Sequence, residues 1–81
     1  MTILYFAWVR TQIGLSSEEV ETKANTVAEL LAELSARSDK HAQVLAQSDK
    51  LRVAVDQSFA ELSDSLAGAK EVAIFPPMTG G

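Results

Sequence analysis

The sequence predicts an α+β domain in which a mixed β-sheet carries one main helix on one face. Three observations favour this fold class. Two apolar segments, residues 3–9 and 71–75, have the composition of central strands and lie near opposite ends of the 81-residue chain. Between them, residues 26–37 carry apolar side chains at helical spacing. Cysteine is absent, so a hydrophobic core must stabilise the fold, and 47% apolar residues are enough for one core.

Composition also excludes several classes of function. The net charge of −4 argues against a phosphate-binding surface and therefore against nucleic acid as a partner. An acidic surface fits either a partner with a basic groove or ordinary solubility. Without cysteine the chain has no thiolate nucleophile and no zinc–cysteine site. No apolar run approaches the ~20 residues that span a membrane, and no basic segment precedes residues 3–9, so we expect a cytoplasmic protein.

The first strand is predicted over residues 3–9, where both alternating faces are apolar. A polar break follows over residues 10–14, in which Gly14 can adopt a positive φ. Residues 17–22 predict a second, more polar strand near an edge of the sheet. Its glutamates, Glu18, Glu19 and Glu21, suggest a metal site, but no histidine or further carboxylate spacing completes one, and a solvated strand face is favoured.

The strongest helix signal begins at Thr26. Thr26 and Glu29 form a capping box, in which the Thr26 hydroxyl accepts from the Glu29 amide and the Glu29 side chain reaches back to the Thr26 amide. An apolar stripe at helical spacing follows, made of Val27, Leu30, Leu31 and Leu34. This helix is predicted to lie on the sheet as part of the core.

Residues 38–45 predict a looser connector with a short helical turn. It contains His41, the one histidine of the chain. Asp39 and Asp49 are nearby in sequence, so a Ser-His-Asp arrangement is conceivable, but no nucleophile-elbow motif frames a serine. A surface histidine is therefore favoured over a catalytic base.

The second half of the chain predicts two further strands. Residues 51–56 alternate, which places Leu51, Val53 and Val55 on the core face. After a turn at residues 56–58, Phe59 either closes the core or forms an exposed contact patch. Leu66 is the predicted buried anchor of the connector 63–68. The last strand, residues 71–75, places Val72 and Ile74 on the core face and Phe75 on the other.

This order of elements indicates a β-grasp, or ubiquitin-like, arrangement. The first and last strands are the most apolar, so we expect them to be adjacent, parallel and central. Residues 1–75 then form the domain, and residues 76–81 form a tail that leaves directly from a central strand. Pro76 and Pro77 cannot continue a helix or a sheet ladder, so the tail begins stiff and extended. Gly80 and Gly81 have no side chain and can enter a narrow channel.

The chain resembles the MoaD family, the small sulfur-carrier subunits of molybdopterin synthase. The resemblance covers the whole chain and rests on three segments: Phe6-Ala7-Trp8-Val9-Arg10 with Gly14, Val53-Ala54-Val55-Asp56-Gln57, and Glu71-Val72-Ala73 followed by Phe75-Pro76-Pro77-Met78-Thr79-Gly80-Gly81. A terminal Gly-Gly is shared with many ubiquitin-like proteins, whereas Phe-Pro-Pro before it is more specific. Two positions depart from the family pattern: Lys70 replaces an acidic turn residue, and Met78 replaces a smaller aliphatic residue.

The resemblance implies that the reactive group is the carboxylate of Gly81. A MoeB-like, E1-type enzyme would use ATP to adenylate it, and a sulfur donor would convert it to a thiocarboxylate. The tail (Pro76, Pro77, Met78, Thr79 and Gly80) would then insert into a MoaE-like large subunit, which supplies the active site, in a heterotetramer. There the sulfur would pass to the cyclic pyranopterin monophosphate precursor and build the dithiolene. Phe75 and Phe59 would be apolar docking anchors. The chain itself would bind no cofactor and no metal and would not be catalytic alone.

Other functions fit the same sequence. A ThiS-like carrier for thiazole synthesis and a ubiquitin-like protein modifier would use the same terminal chemistry. A β-grasp interaction module with an inert tail would not need Gly81.

Overall fold

Five strands and three α-helices make up the part of the chain that the computed structural model describes, residues 1–77. In chain order they are β1 (Thr2–Tyr5), α1 (Ala7–Ile13), β2 (Ser17–Glu19), α2 (Val27–Ser35), α3 (Asp39–Leu45), a 3₁₀ turn (Ser48–Lys50), β3 (Arg52–Val55), β4 (Ser58–Ala60) and β5 (Glu71–Phe75). The division into a domain 1–75 and a tail 76–81 stays a prediction.

The strands form one mixed sheet in the order β2-β1-β5-β3-β4. β1 and β5 are parallel, with Ile3 opposite Val72 and Tyr5 opposite Ile74. The other three pairs are antiparallel. The predicted parallel pairing of the first and last strands is therefore confirmed, as is the position of β2 at an edge. Because β5 is the central strand, the chain after Phe75 leaves from the middle of the sheet.

The core lies on one face of this sheet. α2 contributes its apolar stripe, since Val27, Leu30, Leu31 and Leu34 are all buried. The sheet contributes alternate residues, such as Ile3 and Tyr5 of β1 and Val72 and Ile74 of β5, and Leu66 anchors the connector as predicted. Burial of side chains of this size stabilises a fold by about 2 kcal/mol each. The sequence pattern predicts these core residues correctly because buried side chains recur with the periodicity of the helix or strand that carries them.

The start of α2 is capped as predicted on one side only. The Glu29 amide donates to the Thr26 hydroxyl at 3.2 Å. The Glu29 carboxylate accepts from the Asn25 amide at 2.9 Å and not from Thr26, which corrects the capping box by one residue. The amides of Val27 and Ala28 donate to carbonyls of the connector that follows β4. That connector therefore also satisfies the free amides of the first helical turn.

The predicted strand over residues 3–9 is wrong beyond Tyr5. Phe6 is extended, and α1 begins at Ala7, whose φ is 53°. Val9 and Ile13 lie four residues apart on one helix face and are both buried. Gly14 ends this helix at φ 91°, and its amide donates to the Arg10 carbonyl at 2.8 Å. A short, continuous apolar run fits a buried strand and a buried helix equally well. The composition of residues 3–9 therefore cannot distinguish the predicted strand from the helix that the structure shows.

The connector at residues 38–45 is also more ordered than predicted. It forms α3, at whose start the His41 amide donates to the Ser38 hydroxyl at 3.2 Å. The helix buries Val44, Leu45 and His41, so the prediction of a surface histidine is wrong. A Ser-His-Asp arrangement, which the sequence disfavours, does not form with Asp39 or Asp49, because the ring nitrogens of His41 face Ser38 and Glu18.

β3 and β4 form a hairpin with a two-residue turn, in agreement with the turn predicted at residues 56–58. Asp56 and Gln57 both have positive φ, 48° and 72°, as in a type I′ turn. The Asp56 carboxylate accepts from the amides of Lys70 and Glu71, at 3.0 Å each. It thereby joins the turn to the first residue of β5. Of the predicted core residues, Leu51 and Val53 are buried as expected, although Leu51 lies just before β3, whereas Val55 is only half-buried.

Candidate docking surface and base of the tail

The face of the sheet opposite the core carries a row of small and apolar side chains. Strand alternation turns Leu4, Ala73 and Ala54 to this outer face, and the strand register places them side by side. Phe59 is opposite Ala54 on the edge strand β4 and is 83% exposed. An outer sheet face of this composition is typical of a surface that another protein covers.

Phe59 and Phe75 meet on this outer face. Their ring centroids are 6.0 Å apart, with an interplanar angle of 49°. Together they border a groove of about 390 Å³ whose other lining residues are Arg52, Val53, Ala60 and Pro77. Of the two positions that the sequence leaves open for Phe59, the structure therefore shows the exposed one, which the family resemblance favours. The structure brings together Phe59, Phe75 and the first tail residues, which the sequence places far apart.

A second groove lies on the other side of Phe75. It has a volume of about 370 Å³ and is lined by Phe6, Ala7, Ala73, Phe75, Pro76 and Pro77. Phe6 is 47% exposed. The sequence does not indicate it as a site residue, because the apolar run over residues 3–9 predicts one buried strand. The four-residue spacing of Val9 and Ile13, followed by Gly14, is the signal that could have placed a helix there and Phe6 at its start.

A third cleft adjoins the base of the tail and is more polar. It measures about 460 Å³ and is lined by Trp8, Asp49, Lys50, Pro76 and Pro77. Pro77 therefore lines this cleft and both grooves described above, which are together called the three grooves. The remaining predicted tail residues, Met78, Thr79, Gly80 and Gly81, lie outside the described residues.

Comparison with known proteins identifies the family, because the ThiS family matches residues 3–81. The chain belongs to the ThiS family. Two relatives are molybdopterin synthase sulfur carrier subunits. The Escherichia coli protein is 39% identical over 79 residues, which cover 98% of this chain and 96% of the relative. The Haemophilus influenzae protein is 33% identical over 81 residues, which cover 100% of this chain and 99% of the relative. The resemblance seen in the sequence is thus confirmed.

Solved structures support the fold of this ThiS-family chain. The crystal structure of SAMP1 from Haloferax volcanii matches with a TM-score of 0.75 at 24% identity, covering 99% of this chain and 97% of that one. The prediction of a β-grasp fold is therefore confirmed. Within residues 1–77, no helix is long and apolar enough to cross a membrane. The same residues contain no group of three or more histidine and acidic side chains placed to hold a metal ion.

This ThiS-family chain also contains a buried polar cluster centred on Glu18. The Tyr5 hydroxyl donates to Glu18 Oε2 at 2.6 Å, and His41 Nε2 lies 2.7 Å from the same oxygen. Arg37 Nε donates to Glu18 Oε1 at 3.1 Å. The prediction of a solvated strand face is therefore wrong for Glu18, whose side chain is only 11% exposed. None of these residues lines the three grooves, and the cluster joins β1, β2 and α3.

The cluster keeps Glu18 ionised. Burial alone would raise the pKa of the Glu18 carboxyl, but the hydrogen bonds from Tyr5 and His41 and the nearby charges of His41 and Arg37 outweigh it and lower the pKa below its ordinary value. For the Tyr5 phenol, burial comes first, and the hydrogen bond to Glu18 and its negative charge add to it. All three raise the pKa of Tyr5 well above its ordinary value. At neutral pH the pair is thus a neutral phenol bonded to a carboxylate.

Proposed function

We propose that this chain is the sulfur-carrier subunit of a cytoplasmic molybdopterin synthase and that Gly81 carries the sulfur. The observation that supports this proposal is full-length similarity, up to 39% identity, to molybdopterin synthase sulfur carrier subunits. The chain ends in Gly80-Gly81, which has no side chain that could hinder an approach to the terminal carboxylate.

The proposed chemistry begins at a poor electrophile, the Gly81 carboxylate. In the active site of an E1-like, MoeB-type enzyme, a carboxylate oxygen attacks the α-phosphorus of ATP, and pyrophosphate leaves. The terminal sulfur of a persulfide then attacks the acyl carbon, and AMP leaves. A thiol cleaves the resulting acyl disulfide, which gives the Gly81 thiocarboxylate and a new disulfide. ATP is therefore bound by the activating partner, and this chain binds no cofactor of its own.

The thiocarboxylate is then delivered to the large subunit, which is MoaE-like. Its sulfur attacks the cyclic pyranopterin monophosphate precursor, and two such transfers complete the dithiolene. The large subunit supplies the general acid and base groups for these steps. We expect two copies of each subunit in a heterotetramer.

The outer face of the sheet is the docking surface in this proposal. Phe59 and Phe75 are apolar anchors of the type that dominates interface energies, and exposed Phe6 is a third. Because β5 is held on both sides in the sheet, it gives the base of the tail a fixed direction relative to these anchors. The activating enzyme and the large subunit both need Gly81 in their active sites, so they bind one tail in turn and never together.

Reconstitution tests the proposal. The thiocarboxylated chain is mixed with the large subunit and the precursor, and the dithiolene product is quantified by mass spectrometry. We expect product from the wild-type chain and none from a variant that lacks Gly81, with unchanged thermal unfolding of the domain. Product formed by the truncated variant would refute a role for Gly81. Failure of the wild-type thiocarboxylate to yield product would refute the assignment to molybdopterin synthase and favour a ThiS-like or modifier function.

A further inference from the structure

Among residues 1–77, one charged residue lines the groove between Phe59 and Phe75. Arg52 begins β3, lies directly opposite Phe75 in the antiparallel register, and is exposed. The other lining residues are Val53, Phe59, Ala60, Phe75 and Pro77, all apolar. A guanidinium group at the wall of an otherwise apolar groove, next to the base of the tail, can select what enters that groove.

The Arg52 guanidinium has most of its hydrogen-bonding capacity available to a partner. It carries five N–H donors. One nitrogen, Nη1, donates to the carbonyl of the adjacent Leu51 at 2.9 Å. Among residues 1–77 no carboxylate pairs with Arg52, whereas Arg37 pairs with Glu18 at 3.1 Å. The remaining donors can bind both oxygens of a carboxylate in a bidentate pair.

We infer that Arg52 is a specificity-determining residue that recognises a carboxylate on a partner segment whose apolar side chain fills the Phe59–Phe75 groove. This inference rests on the proposed function and names the partner chemistry at its docking surface. The partner side is therefore an acidic residue of the large subunit, close to an aliphatic or aromatic residue of the same segment. Arg52 is positively charged, whereas the chain as a whole has a net charge of −4.

Two considerations assign that segment to the large subunit rather than to the activating enzyme. A carrier that is a subunit of a synthase needs a long-lived interface, whereas activation needs only a transient one. A bidentate ion pair between aromatic side chains is shielded from water once the groove is filled, so it is stronger there than at an exposed rim. Its removal therefore mainly accelerates dissociation, which matters most in the long-lived complex.

The test compares charge reversal at two exposed basic residues. Arg52→Glu and Lys40→Glu change the net charge by the same amount, but Lys40 is in the first turn of α3 and lines none of the three grooves. Binding of each variant to the purified large subunit is measured by calorimetry, and thermal unfolding verifies the fold. We expect Arg52→Glu to weaken binding at least about tenfold and Lys40→Glu to change it less than about twofold.

Two further variants separate charge from geometry. Arg52→Lys keeps the charge but loses the bidentate fork, so its affinity should lie between those of the wild type and Arg52→Glu. Arg52→Leu should bind more weakly than the wild type and should lose most of the salt dependence of the dissociation constant.

The outcomes distinguish the inference from the function on which it rests. Equal binding by Arg52→Glu and Lys40→Glu, or wild-type affinity of Arg52→Leu, overturns the inference alone. If Arg52→Glu weakens binding to the activating enzyme but not to the large subunit, the assignment of the segment to the large subunit is overturned. A wild-type chain that does not bind the large subunit overturns the proposed function and the inference together.

Discussion

Replacement of Glu18 by glutamine tests how the polar cluster holds the edge strand β2 to the rest of the domain. Glutamine preserves the shape of the side chain but removes its negative charge. In the folded protein, Glu18 Oε2 lies within hydrogen-bonding distance of the Tyr5 hydroxyl at 2.6 Å and of His41 Nε2 at 2.7 Å. The other oxygen, Oε1, accepts from Arg37 Nε at 3.1 Å. An amide has one oxygen, so its nitrogen must face one of these donors. The variant therefore cannot satisfy the whole cluster.

The size of the effect follows from these contacts. If the amide oxygen faces Tyr5 and His41, two charge-assisted hydrogen bonds become neutral, at a cost of about 1 kcal/mol each. The ion pair with Arg37, whose side chain is 44% exposed, adds less than about 1 kcal/mol. We therefore expect the free energy of unfolding to fall by about 2 kcal/mol, which for a domain of this size lowers the melting temperature by roughly 10 °C.

The loss should depend on pH in a defined direction. Because the pKa of Glu18 is lower in the folded than in the unfolded state, its charge stabilises the fold above the unfolded-state pKa. That contribution disappears as the pH falls through the folded-state pKa. The difference between wild type and Glu18→Gln should thus be full at neutral pH and shrink in the acid range.

Urea denaturation of both proteins over this pH range measures the effect. Glu19→Gln is the matched control, because Glu19 is on the same strand but its side chain is 73% exposed. It should change the free energy of unfolding by less than about 0.5 kcal/mol. Equal stability of Glu18→Gln and wild type at neutral pH would refute the role of the cluster, as would a difference that grows on acidification.

Three further substitutions test the hairpin and the docking surface. Gln57→Gly should raise the free energy of unfolding by about 1 kcal/mol because φ is 72° there, and urea denaturation showing no gain would contradict this. Asp56→Ala removes the acceptor for the amides of Lys70 and Glu71 and should cost about 2 kcal/mol; unchanged hydrogen exchange at these two amides would contradict it. Phe59→Ala should leave unfolding nearly unchanged, because Phe59 is 83% exposed, yet weaken binding to the large subunit at least about tenfold. Calorimetry that shows wild-type affinity would exclude Phe59 as an anchor.

The elements that sequence predicts well are those whose signal is local. The stripe of α2, its Thr26 cap and the alternation of β5 depend on residues only a few positions apart, and the structure confirms each of them. The parallel pairing of β1 with β5 followed from their apolar composition, because central strands are the most buried. The place of Phe59 just after a turn leaves both a core and an exposed position open, and only the family resemblance favours the exposed position that the structure shows.

The parts that sequence did not predict depend on contacts between distant residues. Burial of His41 is possible because Glu18, 23 positions earlier, lies 2.7 Å from its ring nitrogen. The spacing of apolar residues along the sequence gives no sign that Glu18 and His41 form a pair. The change from strand to helix after Tyr5 depends on the positive φ of Ala7, which its apolar neighbours conceal. Phe6 was missed for the same reason, because an apolar residue in a supposed central strand is assigned to the core.

The central claim is that sulfur is carried on the carboxylate of Gly81, and intact mass spectrometry tests it most directly. The chain is incubated with the activating enzyme, ATP and a sulfur donor, with the Escherichia coli sulfur carrier subunit as a positive control. We predict that the mass increases by the difference between one sulfur and one oxygen, and that fragmentation locates the change at Gly81. An unchanged mass, under conditions in which the Escherichia coli protein is converted, would contradict the account.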